Sequence, residues 1–286
     1  MKKYLKLLRI HHYIKNLLVF AALACSGQMF SSGKLLSCLA GFAAFCAVSS
    51  TVYIVNDIRD AEKDRLHPVK CLRPIASGAV SVRTAVILAV ILTVTAFICN
   101  ALVFRLLSTI LLAVYLLMNL GYSFGLKDIP LVDITILVAG FGLRLYYGAL
   151  ICDIPISNWL FMTMITLSFF FALGKRRNEL KRSGDGDTRR VLKRYPIGFL
   201  DKNMYMCLGL ANGFYALWAI DERTATHYSS DYLIFTVPIV LLITLKYSLD
   251  IEGDSDGDPV EVLLHDRALL ALCALYIAVM FLILYL

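Results

Sequence analysis

Charged residues are scarce in this chain, and their scarcity excludes most soluble folds. Only 17% of the 286 residues are Asp, Glu, Lys or Arg, whereas 59% are hydrophobic and the mean hydropathy is +0.73. A soluble globular protein has about 25% charged residues. The composition therefore predicts a polytopic membrane protein, and we expect no nucleic acid among its partners.

Paired cysteines and linkers are also lacking. The eight cysteines are scattered singly, with no C-x-x-C pair, which argues against a disulfide framework and against a zinc site. No low-complexity tract or proline-rich linker divides the chain. We predict a single transmembrane domain over residues 1–286, with long loops at about 57–81 and 175–202.

What the chain has instead is a series of long apolar runs. A helix needs about 17 to 25 apolar residues to cross a bilayer. The runs predict an all-α membrane helical bundle with nine transmembrane helices, preceded by an amphipathic helix over residues 2–14 that lies on the membrane. The nine runs lie near residues 14–31, 35–56, 82–102, 104–124, 130–150, 156–174, 203–221, 231–249 and 267–286.

Lysine and arginine are distributed unequally between the two sides of this predicted bundle. If the N-terminus is cytoplasmic, the cytoplasmic segments carry 23 of these residues and the opposite connections carry three. Positively charged connections remain in the cytoplasm, so the imbalance fixes the orientation. Both long loops are therefore predicted to face the cytoplasm.

Three aspartates follow the second apolar run directly. Asp57, Asp60 and Asp64 are spaced at i, i+3 and i+7, so they share one helical face, with Asn56 one turn behind Asp60. Carboxylates bind Mg²⁺ when phosphates supply the remaining ligands. The spacing predicts that these three residues hold the metal and that Asn56 contributes beside them.

Cations follow the aspartates. Lys70 and Arg73 could neutralise phosphate oxygens, and Pro74 restrains the backbone of Arg73. His67, which precedes Pro68, either shapes the turn or contacts the substrate. A solvated helix end with weak ion pairs is the alternative to a site here. The site interpretation predicts phosphoryl or pyrophosphoryl chemistry at a membrane surface.

Together these motifs resemble those of the UbiA superfamily of intramembrane prenyltransferases. N-D-x-x-D-x-x-x-D ends span 2, R-P-I-A-S-G follows it, and a second polar motif follows span 6. H-P and K before R-P, with Y-I-K-N before span 1, are most similar to the decaprenyl-phosphate phosphoribosyltransferase branch. The resemblance covers nearly the whole chain. It implies a UbiA-like fold, Mg²⁺ as cofactor, phosphoribosyl diphosphate and polyprenyl phosphate as substrates, and a bacterial inner (plasma) membrane location; it leaves a homo-oligomer open.

One departure from the wider superfamily concerns the second polar motif. Lys175 stands where other members have the first aspartate of a D-x-x-x-D pair, so a metal ligand is replaced by a cation. The substrates should then carry more phosphate charge than one prenyl diphosphate and a neutral aromatic. We predict Lys175 and Glu179 in the catalytic site and Arg176 on a substrate; an i, i+4 surface pair of Lys175 and Glu179 is the alternative.

Further polar residues are candidates for substrate binding. Arg144 lies near the middle of span 5, where a cation costs about 2.5–3.5 kcal/mol, so it should face a polar cavity and a phosphate unless it snorkels to the outer interface. Lys15 and Asn16, at the mouth of span 1, are either lipid-phosphate ligands or plain interfacial residues. Tyr122 and Lys127 lie at the connection of spans 4 and 5 and could reach the same cavity.

The resulting hypothesis is transfer of a 5-phosphoribosyl group from phosphoribosyl diphosphate to a polyprenyl (decaprenyl) phosphate. Pyrophosphate is released, and the product serves the synthesis of cell-envelope arabinose or a related glycolipid precursor. Two alternatives stay open. An aromatic prenyltransferase of quinone or haem biosynthesis would favour a carboxylate at position 175, and a transporter of a phosphorylated solute would need polar residues in both halves of the membrane.

Overall fold

The computed structural model describes residues 2–103, 105–182, 191–224, 232–253, 257 and 259–285. Within these ranges the chain is helical and contains no β-strand, which confirms the predicted all-α class. The chain separates into two compact units. A single domain over residues 1–286 stays a prediction.

The first unit extends over Met1–Ala24, Gln28–Ile136 and Leu143–Pro155. Its central element is a helix of 35 residues, which at about 1.5 Å per residue is longer than the ~30 Å hydrocarbon core of a bilayer. The helices are α1 (Lys2–Leu8), α2 (Ala21–Cys25), α3 (Ser32–Leu66), α4 (Val82–Ala101), α5 (Leu106–Ser123) and α6 (Val132–Cys152), with 3₁₀ segments at Ile10–Phe20, Lys70–Leu72 and Leu126–Asp128.

The second unit extends over Cys25–Gly27, Leu137–Gly142 and Ile156–Leu286. Its helices are α7 (Asn158–Arg182), α8 (Ile197–Ile220), α9 (Val237–Glu252), α10 (Pro259–His265) and α11 (Arg267–Tyr285), with 3₁₀ segments at Leu192–Arg194 and Tyr232–Thr236. Asp266 caps α11 by accepting from the backbone N–H of Leu269, and the Lys246 ammonium holds the pKa of that carboxyl below its usual range.

Among the described residues, seven helices are long and apolar enough to cross a membrane. The other two predicted spans correspond to Ile10–Cys25, a shorter segment that begins as a 3₁₀ helix, and to α8, which has Asp201 and Lys202 in its first turns. The count of nine spans is therefore not confirmed. The seven are Ser32–Leu66, Val82–Ala101, Leu106–Ser123, Val132–Cys152, Asn158–Arg182, Tyr232–Glu252 and Arg267–Tyr285.

Close helix packing in the first unit depends on two glycines. A Cβ on Gly148 of α6 would lie 2.7 Å from the carbonyl carbon of Val19, and a Cβ on Gly41 of α3 would lie 2.8 Å from the Tyr147 ring. Both distances are below any normal carbon–carbon contact, so a side chain at Gly148 would clash with backbone and one at Gly41 would displace neighbouring side chains. The Phe45 ring packs edge-on against Tyr147 in the same core.

The N-terminal helix is docked on protein. Leu7 is fully buried and packs in one cluster with Ile54 of α3 and with Ile75 and Val80 of the following loop. The predicted amphipathic helix over residues 2–14 was too long, because α1 ends at Leu8 and a 3₁₀ helix begins at residue 10. α1 therefore packs against α3 and against the loop that follows it.

Candidate active site

The end of α3 places two of the predicted aspartates at one point. Asp57 and Asp64 are 2% and 4% exposed, and both accept hydrogen bonds from the same Nη1 atom of Arg73, at 3.3 and 2.7 Å. Seven residues are almost exactly two helical turns, which explains why these two carboxylates line up. Three predicted site residues are thus in direct contact.

The loop after α3 holds Arg73 in position. The backbone N–H of Arg73 donates to Lys70 O, the N–H of Ser77 donates to Arg73 O, and the N–H of Val80 donates to Pro74 O. These turns fix the guanidinium over the carboxylates, as the proline after it suggested. The R-P-I-A-S-G sequence therefore forms the turns that hold one cation, the Arg73 guanidinium, in place.

A second cation on Asp57 comes from the N-terminus. Arg9 Nη2 lies 2.5 Å from Asp57 Oδ1, and the guanidinium also stacks over the Tyr53 ring at 4.9 Å. Arg9 has a backbone φ of 52°, in the left-handed region that non-glycine residues rarely adopt. Asp57 consequently carries two guanidinium partners in this structure.

The third aspartate has a different cation. Lys127 Nζ lies 2.8 Å from both carboxylate oxygens of Asp60, which is turned away from the other two by about a sixth of the helix circumference. Lys127 stands on the short 3₁₀ segment between α5 and α6. Lys127 thus pairs with the aspartate motif, and its role in substrate binding stays a prediction.

The carboxylates offer hard oxygen ligands, but the cations already engage them. Among the described residues no group of three His, Cys, Asp or Glu side chains forms a ready metal site. Asp57 and Asp64 nevertheless accept from one guanidinium nitrogen, so their carboxylates face the same point. The residues fit Mg²⁺ as a carboxylate pair, to which substrate phosphate would add ligands.

Of the neighbouring candidates, His67 shapes a turn, whereas Asn56 and Tyr122 lie on helices. His67 Nδ1 accepts from the backbone N–H groups of Val69 and Lys70 at 3.1 and 3.2 Å, so the ring shapes this turn, as one of its two predicted roles required. Asn56 and Tyr122 are half-buried near the ends of α3 and α5. Their roles, and that of Lys70, stay predictions.

Arg144 lies in a buried polar cluster of the first unit. Its Nε donates to Asn16 Oδ1 at 2.7 Å and its Nη2 to Tyr115 OH at 2.8 Å, with Ser49 Oγ at 3.4 Å. The guanidinium also faces the rings of Phe45 and Tyr115. Arg144 is 6% exposed, so it does not snorkel outward within this unit. Asn16 belongs to this cluster, whereas Lys15 is half-buried beside it.

The second unit places its polar motif on the last turns of α7. Arg176 Nη1 donates to Glu179 Oε2 at 2.7 Å, so these two residues form an i, i+3 ion pair at the end of α7. Lys175 is half-buried. A Cβ added to Gly257 would lie only 2.9 Å from the Cα of Lys175. The residues predicted at 175, 176 and 179 thus form a compact helix end.

Arg177 organises this end of the second unit. Its Nε lies 2.5 Å from Asp201 of α8, and its Nη2 lies 2.5 and 2.6 Å from the carboxylate of Glu252 at the end of α9. Tyr205 OH donates to the same glutamate at 2.7 Å. One arginine therefore connects three helices.

Comparison with known proteins decides the family. The model of the family described as "UbiA prenyltransferase family" matches residues 17–258 of this chain. The chain belongs to the UbiA prenyltransferase family. This UbiA chain is 35% identical to a decaprenyl-phosphate phosphoribosyltransferase of Mycolicibacterium smegmatis, over 93% of its length and 87% of the relative. It is 34% identical to the Corynebacterium glutamicum protein of the same name, over 96% of its length and 84% of the relative.

A solved UbiA structure has the same fold. A UbiA homolog from Archaeoglobus fulgidus, bound to GPP and Mg²⁺, superimposes with a TM-score of 0.71 over 99% of both chains, at 20% identity. At this identity the likeness shows the fold alone. It confirms that the helices of this chain form a UbiA fold, as the aspartate motif and the motif after span 6 had indicated.

Two site residues of this UbiA chain were missed from its sequence. Arg9 was not among the predicted site residues, because nothing local connects it with an aspartate 48 residues later. Arg177 was not among the predicted site residues, although Lys175, Arg176 and Glu179 of the same motif were. For Arg177 the available signal was Asp201 and Glu252, two acidic residues close to the ends of apolar runs.

Proposed function

We propose that this UbiA protein transfers a 5-phosphoribosyl group from phosphoribosyl diphosphate to a polyprenyl phosphate of the decaprenyl type, with release of pyrophosphate. The observation that carries the proposal is the cation-rich aspartate cluster at the end of α3, in a chain whose relatives bear the name decaprenyl-phosphate phosphoribosyltransferase. Two anionic substrates would be repelled by the aspartates alone. Binding them therefore needs the positive charges that lie beside these carboxylates.

Asp57 and Asp64 would hold Mg²⁺, with Asp60 joining them if Lys127 moves to a phosphate. The ion supplies neutralisation of the charge that develops on the leaving pyrophosphate. Arg73 lies on both carboxylates and would turn its guanidinium to phosphate oxygens, for which its planar donors are suited. The protein thus exchanges internal ion pairs for pairs with the donor.

The acceptor phosphate needs no general base, because a phosphate monoester is already ionised at neutral pH. One of its oxygens forms the new bond to the anomeric carbon while the bond from that carbon to the pyrophosphate oxygen breaks, with inversion. Lys175 and Arg176 would bind phosphate oxygens, and Glu179 would orient Arg176. Lys15, Asn16, Asn56, His67, Lys70, Tyr122 and Arg144 are proposed as further substrate contacts.

The same proposal includes the membrane arrangement. Nine spans result if Ile10–Cys25 and α8 are counted with the seven apolar helices. The active site faces the cytoplasm of a bacterial inner membrane, and the lipid tail leaves sideways into the bilayer. The product would supply arabinose units of the cell envelope, and assembly with a second copy of the chain is compatible with this role.

The test uses membranes that contain the protein, with labelled phosphoribosyl diphosphate, polyprenyl phosphate and Mg²⁺, followed by organic extraction. Lipid-soluble label should form with the wild type and fall at least about 100-fold in Asp57→Ala and Asp64→Ala, since both lose a charge-neutralising ligand. Glu62→Ala is the matched control, because Glu62 is exposed on α3 away from Arg73. Removal of Mg²⁺ with a chelator should abolish the label.

A second candidate is an aromatic prenyltransferase, which the fold neighbour bound to GPP and Mg²⁺ favours. The same membranes should then be supplied with a labelled prenyl diphosphate and an aromatic acceptor. Labelled prenylated product, with no label from phosphoribosyl diphosphate at any lipid length, would replace the first proposal by this one.

A further inference from the structure

Arg9 is placed in the aspartate cluster by an unusual backbone. α1 ends at Leu8, and Arg9 then takes the left-handed conformation, with φ 52° and ψ 50°. On one side Leu7 is buried against α3, and on the other Tyr13 OH lies 2.8 Å from Ser50 Oγ. A non-glycine residue keeps such a backbone only when its surroundings enforce it, and this pattern is typical of functional positions.

The Arg9 side chain gives the Asp57 carboxylate a second positively charged partner. Asp57 Oδ1 lies 2.5 Å from Arg9 Nη2 and 3.3 Å from Arg73 Nη1. Arg73 has Asp64 as its nearer partner, at 2.7 Å, whereas Asp57 is the one carboxylate that Arg9 contacts among the described residues; the Arg9 side chain is 19% exposed. Arg9 is therefore the cation that competes most directly with any metal ion that binds Asp57, whereas Arg73 can keep its pair with Asp64.

We propose that Arg9 is a substrate-positioning residue that occupies Asp57 before a divalent metal binds and then transfers its guanidinium to a phosphate of the metal-bound diphosphate donor. A metal ion and a guanidinium compete for the same Asp57 oxygen, so metal binding displaces Arg9. The Tyr53 ring keeps the displaced guanidinium beside the site through its stacking contact. The identity of the donor rests on the proposed function, whereas the exchange of partners does not.

The N-terminal segment is built to carry this exchange. Lys3 Nζ donates to Ala79 O and Lys6 Nζ donates to Leu72 O, so α1 is attached to the loop that presents Arg73. Arg9 and Arg73 consequently approach Asp57 from two segments that are themselves connected. The segment before the first span is then part of the donor site, a role beyond that of a membrane anchor.

The experiment measures two probes on purified protein without any lipid acceptor. Mn²⁺ alone is titrated by electron paramagnetic resonance, and inorganic pyrophosphate is then titrated into the Mn²⁺-loaded protein by calorimetry. Arg9→Ala should bind Mn²⁺ more tightly by roughly tenfold, since one charge-assisted competitor for Asp57 is lost. The same variant should bind pyrophosphate more weakly by roughly tenfold, since one charge-assisted contact to phosphate is lost.

Opposite changes for the two probes distinguish this exchange from a structural role. Lys2→Ala removes an equal charge from an exposed position of α1 and should leave both affinities unchanged. Arg9→Lys keeps the charge and should lie between Arg9→Ala and the wild type in both titrations, even if Arg9→Ala does not fold. Weaker binding of both probes in a variant that melts like the wild type, or no change in either, would overturn the proposal. Absence of phosphoribosyl transfer by the wild type would count against the proposed function alone.

Discussion

Single residues in the first unit neutralise buried charge in two different ways. The Asp57 carboxylate has the charged groups of Arg9 and Arg73 beside it, whereas the Arg144 guanidinium is bound by the neutral oxygens of Asn16 and Tyr115. Ion pairs of the first kind can open when a stronger cation or anion arrives. The hydrogen bonds from Arg144 to Asn16 and Tyr115 hold its guanidinium in position by neutral acceptors.

Tyr115→Phe tests the Arg144 cluster. The phenol oxygen accepts from Arg144 Nη2 at 2.8 Å, and its removal leaves a buried charged donor without that acceptor. We expect the free energy of unfolding to fall by about 1–3 kcal/mol, the usual cost of such a loss. The measurement is the melting temperature in detergent. Tyr146→Phe, at an exposed position of α6, should melt like the wild type, and equal melting of both variants would contradict the assignment.

Whether a contact could be predicted depends on how far apart its two residues lie in the sequence. Asp57 and Asp64 could be placed on one face because helical periodicity is a local rule. Arg73 could be assigned to the same motif because it follows within a few residues and is fixed by a proline. Arg9 and Asn16 contact partners on other elements, through tertiary packing that no local pattern encodes.

At the scale of elements, α6 lies against the N-terminal 3₁₀ helix through Gly148. Gly148→Ala should lower the free energy of unfolding by about 1–3 kcal/mol or more, as overpacking does, because the added methyl group would meet backbone atoms of Val19 that cannot rotate away. Gly209→Ala in α8 is the control, since a Cβ there has no neighbour within 4 Å. Melting in detergent should separate the two variants; a Gly148→Ala protein as stable as Gly209→Ala would disprove the close contact.

Element boundaries show a second limit of the sequence. The apolar runs correctly indicated the long helices, but α3 continues to Leu66 and α7 to Arg182, well beyond their apolar parts. Polar residues such as Asp64 and Arg177 extend these helices because they are held by partners on other segments. Hydropathy alone ends a span where the lipid ends, so it cannot mark where the helix itself stops.

At the scale of the whole molecule, the orientation of α3 decides which compartment supplies the donor. α3 is longer than the membrane core, so its ends should be reachable from opposite sides of the membrane. In a Cys71→Ser background, we expect Leu66→Cys to react with a membrane-impermeant maleimide only after the cells are broken, because the basic loops remain cytoplasmic. Gly33→Cys, at an exposed position with no atom near its Cβ, should react in intact cells. The reverse pattern would place the aspartate cluster outside the cell, where the cytoplasmic pool of phosphoribosyl diphosphate could not reach it.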